Sequence, residues 1–237
     1  MGVAQTGMEI QGDKHPFYIG LRAARANLVP GLILQVAMMG VVLAYFYHKP
    51  TRMRLDVLAG YKETWGYAFT AILSIFAGAL LPEVFEILFF QRCRIKRENF
   101  ENLLFTIPFW VSMGMCVDLL YRMQAVWFGT DRTALTLIKK VAVDQLLYSA
   151  LFAAPISLLA YDWHKHGSGI STRLFSRKFW RKDLPPTVVA NWGIWIPLVA
   201  IIYLLPPLLQ VPISSLALTF WVLILSFITS HENVNES

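Results

Sequence analysis

Charge is what this chain most conspicuously lacks. Only 15% of its 237 residues are Asp, Glu, Lys or Arg, against about 25% in an ordinary soluble domain. From Val188 to Thr229, 42 consecutive residues include none of these and no histidine. About 20 apolar residues in a helix match the ~30 Å hydrocarbon core of a bilayer, and no soluble domain needs a charge-free run of twice that length. Pro206, Pro207 and Pro212 fall in its middle. Proline removes a backbone donor and disfavours helix in the residue before it. The run therefore reads as a transmembrane hairpin broken between Leu205 and Pro212.

Cysteine is almost absent. Cys93 and Cys116 form no CxxC and have no histidine at metal spacing, which argues for free thiols rather than a disulfide framework or a zinc site. Cys93 lies between Arg92 and Arg94 at the end of an apolar run, a setting compatible with S-palmitoylation. Catalytic signatures are missing too: there is no HExxH, no GxSxG and no P-loop. The reading is a non-enzyme with no cofactor. His164 and His166 are two apart and so fall on different faces of a helix. With Asp162 as the one nearby acid, they lack the ligands that a metal needs. The same three residues would be the reactive cluster of an interfacial enzyme, the least favoured class. No secretory signal or Arg-rich transit pattern is evident at the N-terminus, and Met1 to Thr6 fits the loose myristoylation pattern. The formal net charge is +6. Its basic residues sit in clusters between apolar runs, the pattern set by lipid headgroups and the positive-inside rule rather than by nucleic acid.

What is present is a series of six apolar segments, an all-α, polytopic transmembrane helix bundle spanning 28–229 between a polar segment 1–27 and a polar tail 230–237. The runs are Leu28 to Tyr47, Tyr67 to Phe90, Leu103 to Tyr121, Val141 to Tyr161 and the two arms of the hairpin. Between the fourth and fifth, Arg173, Arg177, Lys178, Arg181 and Lys182 alternate with Leu174, Phe175, Phe179 and Trp180. That pattern predicts a basic interfacial helix on anionic headgroups, with a docking patch for a partner as the alternative. With six spans, 13 Lys and Arg lie on the side of the termini and 8 on the other, which favours both termini inside.

Ionisable residues within apolar runs mark where a site is to be sought, because charge in a bilayer is costly. Glu83 and Glu86, three apart after Pro82, share a helix face. They either line a cation pathway or pair with Arg92, Arg94 or Lys96. Asp118 has Arg122 four residues on, the spacing of a helix ion pair. Asp144 and Gln145 fall in the first turn of their run, one turn beyond Lys140, where the helix dipole favours a negative charge. A structural anchor and a polar channel mouth would use the same residues.

Three pieces of the C-terminal half resemble, remotely, the Mpv-seventeen and peroxisomal-membrane-protein-two family of small polytopic membrane proteins. Tyr121 to Gln145 is similar to its aromatic-ended helix, Gly-Thr loop and Lys-Lys entry to an Asp-Gln pair. Trp180 to Trp195 carries Asp183, Pro185, Asn191 and Trp195 at matching spacings, and Pro207 and Trp221 lie near its proline turn and last-helix tryptophan. Together they cover about 115–230. The chain departs from the family at Ala150, Ile196, Val199, Ile202 and Val211. The resemblance implies a channel for small solutes in a mitochondrial inner or other organellar membrane; without it, a bacterial cytoplasmic membrane is equally consistent.

The functional expectation is a channel or transport path, with Glu83, Glu86, Asp118, Asp144, Gln145 and Asn191 lining or gating it. The alternative is a non-catalytic assembly subunit. Its partners would be the lipid bilayer, further copies of itself or the subunits of a membrane complex. Carboxylates in a pore favour cations. Glu83→Gln with Glu86→Gln is therefore expected to change ion selectivity in reconstituted liposomes; unchanged flux would remove both from the path.

Overall fold

The structure, a computed structural model, describes residues 21, 22, 25, 27–166 and 174–235, with side chains as far as Trp221. Seven helical stretches organise them, and no strand occurs among the described residues. The stretches are α1 (Leu28–Tyr47), α2 (Lys49–Trp65), α3 (Tyr67–Phe90), α4 (Arg97–Phe128), α5 (Ala134–Lys165), α6 (Phe179–Ile202) and α7 (Pro207–Asn235). Five of them, α1, α3, α4, α5 and α6, are long and apolar enough to cross a membrane, and α7 adds a shorter apolar stretch, Pro207–Trp221. A polytopic helical architecture follows, compatible with a multi-pass membrane protein.

Prolines shape the helices without ending most of them. Ile75–Leu80, Val143–Ala153 and Phe179–Asp183 are wound as wide π turns. Pro82, Pro155 and Pro185 each follow two residues later. A proline ring collides with the carbonyl four residues back; a widened turn moves that carbonyl aside and lets the helix continue. Pro108, Pro197 and Pro212 also lie inside helices. The break in the long apolar run is thus narrower than expected. It is confined to 203–206, and Pro207 starts α7, where its missing N–H costs nothing. Gln210 Nε2 donates to the Leu205 carbonyl at 3.1 Å and satisfies part of this turn.

Two further expectations change. The fourth apolar run does not begin near Val141. Thr133 caps α5, its hydroxyl accepting from the Thr136 N–H, and Asp131 accepts from the Thr133 N–H at 3.0 Å. The Thr133 hydroxyl, then the Thr133 N–H and the Thr136 hydroxyl, donate to the Asp131 carboxyl and hold it below its ordinary pKa. Asp144 and Gln145 therefore lie three turns inside α5, and the helix-dipole argument for them fails. The basic segment also runs straight on: Arg181 and Lys182 occupy the first turns of α6, exposed, with Arg177 and Lys178 just before it. Arg173 lies outside the described residues.

The main core joins Leu34, Met38 and Val42 of α1 to Leu198 and Ile202 of α6 and to Leu209, Ile213 and Ala217 of α7. The α3–α4 contact is made by small residues instead. A Cβ on Gly78 would fall 2.4 Å from the Trp110 ring, and one on Gly114 would fall 2.9 Å from Ser74 Cβ. Small residues let membrane helices approach closely enough for dispersion and hydrogen bonding to hold them. Gly114→Val is expected to force α3 from α4 and destabilise the protein by about 1–3 kcal/mol, read as a lower melting temperature in detergent. A variant melting like the parent would refute this close packing.

Candidate functional site

Connectivity and contacts gather the polar residues at two ends of the bundle. The C-terminus of α1, all of α2, the loop 129–133 and the turn 203–206 share one end. There Arg132 lies over the Phe46 ring at 4.7 Å. The links 91–96 and 174–178 lie at the other.

At the first end are two buried polar centres, each touching α4. One is built on Asp118. Arg122 Nε meets its Oδ1 at 3.0 Å, the pair expected from spacing. Its Oδ2 accepts from Lys62 of α2 and, at 2.8 Å, from the Thr70 hydroxyl of α3. Lys62 is 2% exposed and also donates to Thr70 and to the Gly66 carbonyl. Burial pushes the Lys62 ammonium below its ordinary pKa, and Asp118 pushes it back up. The Arg122 guanidinium lies 4.9 Å from the Tyr67 ring centre, a cation–π contact that covers its outer face. Gly66, with φ +54°, makes the tight turn from α2 to α3 that brings Lys62 and Thr70 onto one carboxylate. Asp118 is therefore a fastening among three helices.

The second centre is built on Asp144. Tyr203 donates its hydroxyl to Oδ2 at 2.8 Å, and Gln145 Nε2 donates to Oδ1 at 2.8 Å. Neither partner carries charge, and no ion pair reaches this buried carboxyl among the described residues. The Lys140 ammonium lies 5.7 Å from the Tyr203 ring centre rather than on the carboxylate. Gln124 of α4 is fully enclosed and faces the Tyr203 hydroxyl, and among the described residues neither its amide oxygen and nitrogen nor Gln145 Oε1 has a partner within hydrogen-bond geometry. Leaving a buried polar group unsatisfied costs about 1–3 kcal/mol. Deeper along α5 and α6, Trp192 Nε1 donates to the Gln145 carbonyl at 3.0 Å and Asn191 Nδ2 to Ser149 Oγ at 3.0 Å. Asn191 thus belongs to the same polar line as Asp144.

The other end differs in kind. Glu83 is buried and accepts from Asn99 Nδ2 at 2.5 Å, while Asn99 Oδ1 accepts the Lys96 N–H that opens α4. Glu86 is half-buried, and neither acid makes an ion pair among the described residues. Asn99, not Arg92, Arg94 or Lys96, is the partner of Glu83. His164 stacks on Phe105 at 4.2 Å with Nε2 3.1 Å from Asn102 Oδ1, which occupies the ring in packing. No group of three His, Cys, Asp or Glu side chains converges among the described residues.

Sequence reasoning missed Lys62, Thr70, Gln124 and Tyr203. Lys62 counted only as a loop charge, and Tyr203 sits in an unbroken apolar run with no local signal at all. Gln124 lies within the Tyr121 to Gln145 segment, where an amide about one turn from a helix end could have been flagged. No protein-family model, curated protein or solved structure matches this chain.

Removing one partner of a buried pair strands the other charge, at a cost of about 3–5 kcal/mol. Asp118→Asn is expected to lose that much, read from detergent melting or denaturant unfolding. Lys62→Met with Asp118→Leu is expected to recover most of it. A single variant as stable as the parent would show that α2 is not fastened this way.

Proposed function

We propose that this is an integral membrane protein whose bundle provides or gates a path for small polar solutes or cations, with the Asp144 centre as its selective element. One observation carries the reading: the enclosed Gln124 amide and the Gln145 carbonyl oxygen, unpartnered among the described residues, beside a carboxyl that has only neutral partners. Polar groups left open in an apolar interior are costly unless something transiently fills their hydrogen bonds, and buried acids in membrane segments mark substrate or ion routes. Asn191 continues the polar line toward mid-bundle. Glu83 and Glu86 guard the far end in this scheme, and Asp118 acts as a strut beside the mouth. The remote likeness of 115–230 to a family of small membrane channels points the same way. The basic residues Arg177, Lys178, Arg181 and Lys182 then rest against anionic headgroups at the far end, and α7 completes a sixth crossing.

A second reading, an assembly subunit of a membrane complex, is favoured by α4, whose apolar window is only 6% buried within the protein. Neighbouring subunits rather than lipid would then cover it, and a stoichiometric partner would copurify in mild detergent.

The test is flux from liposomes carrying the purified protein, compared with Asp144→Asn and Gln124→Leu. Both are expected to lower or re-select flux by about tenfold, the equivalent of ~1.4 kcal/mol. Protein-dependent flux that ignores both substitutions would sink the Asp144 assignment, and vesicles that stay tight would favour the assembly reading.

A further inference from the structure

The segment between the first two apolar helices is a formed helix with three distinct faces. One faces the bundle: Leu55 and Ala59 pack on the main core, and Lys62 reaches Asp118. The second is polar and ties α2 to the end of α1. Arg52 Nε donates to the Tyr45 carbonyl at 2.9 Å and its Nη2 to the Phe46 carbonyl at 2.5 Å, while the Tyr45 hydroxyl donates to Asp56 at 3.1 Å. These bonds cap the last carbonyls of α1 and fix the angle at which α2 leaves it. The third face is apolar and uncovered. Met53, Val57, Tyr61 and Trp65, four residues apart and so in one stripe, are 60%, 60%, 53% and 54% exposed.

Lys62 and the Arg52–Asp56 side are held, so α2 cannot roll to hide this stripe. Nor can α2 cross a bilayer itself. Its 17 residues include six that are charged and span about 25 Å. It is joined at both ends to helices of membrane-crossing length, through His48 and through Gly66. The exposed aromatic rings of Tyr47 and Tyr67 flank it at those junctions, where interfacial aromatics gather. Its N-terminal half carries Lys49 and Arg54, exposed cations whose stems can lie on apolar surface while the heads reach phosphate.

From this arrangement we infer that α2 lies in the plane of the membrane, with the Met53–Val57–Tyr61–Trp65 stripe sunk in the boundary between headgroups and acyl chains. The occupant of this surface is lipid. The two helices joined to its ends also expose apolar side chains, among them Leu43 of α1 and Ile72 of α3, and an in-plane amphipathic helix buries its apolar face about 5–10 Å into that boundary. The Lys62–Asp118 pair then sets the helix's roll angle. This inference is independent of the solute-path reading, because it concerns depth and not flux.

The experiment places single cysteines at Val57, Tyr61 and Glu63 in a protein carrying Cys93→Ser and Cys116→Ala. Each is labelled with a polarity-sensitive fluorophore after reconstitution into vesicles of phosphatidylcholine and phosphatidylglycerol. Probes at Val57 and Tyr61 are expected to be quenched several-fold more by a shallow nitroxide lipid than by aqueous iodide, with the reverse at Glu63. Equal iodide quenching at all three positions would overturn the inference. So would probes at Val57 and Tyr61 that neither agent reaches, since protein would then cover the stripe. Unchanged melting of each labelled variant in detergent keeps a folding defect from imitating either result.

Discussion

A charge taken into an apolar bundle must be answered there, and the Lys62–Asp118 contact answers the one on which the rest of this architecture leans. Desolvating two ions costs several kcal/mol each, recovered only if their geometry and remaining hydrogen bonds are good. Here Thr70, the Gly66 carbonyl and Arg122 supply those bonds. The arrangement requires α2, α3 and α4 to meet at one point. That requirement fixes the turn at Gly66, seats Leu55 and Ala59 on the core, and sets which face of α2 is left outside.

The two buried aspartates of this end answer the same problem in opposite ways. Asp118 is neutralised by cations and is structural. Asp144 is met by a phenol and an amide, with the Gln124 amide and the Gln145 carbonyl oxygen nearby and unpartnered among the described residues. A fully compensated charge has little left to offer a passing solute, whereas a carboxyl with neutral partners and open donors and acceptors can exchange them. This contrast, not the mere presence of an acid in an apolar run, separates strut from candidate site.

Backbone geometry supports both. Proline would ordinarily end α3 and α5 early, yet wide π turns ahead of Pro82 and Pro155 carry each helix through. The turn in α5 spans Val143–Ala153 and so includes Asp144, Gln145 and Ser149. Such turns re-aim side chains and recur at functional positions, and this one presents Gln145 to Asp144 and its carbonyl to Trp192.

Much of the helical plan was legible in the chain, because apolar length is a one-dimensional property. The spans Leu28 to Tyr47 and Tyr67 to Phe90 coincide with the helices found, and the Asp118–Arg122 pair follows from helical spacing alone. The start of α5 was misread because its first turns are amphipathic and its cap, Thr133 with Asp131, is a polar signal weaker than the apolar run after it. The partners of the buried acids were not legible. Lys62 lies 56 residues from Asp118, and Tyr203 lies 59 from Asp144. Sequence by itself determined that this chain is helical, apolar and built in membrane-length pieces. Only the tertiary structure decided which acid is neutralised and which is left with neutral partners, because that depends on which helices meet, and no local spacing encodes it.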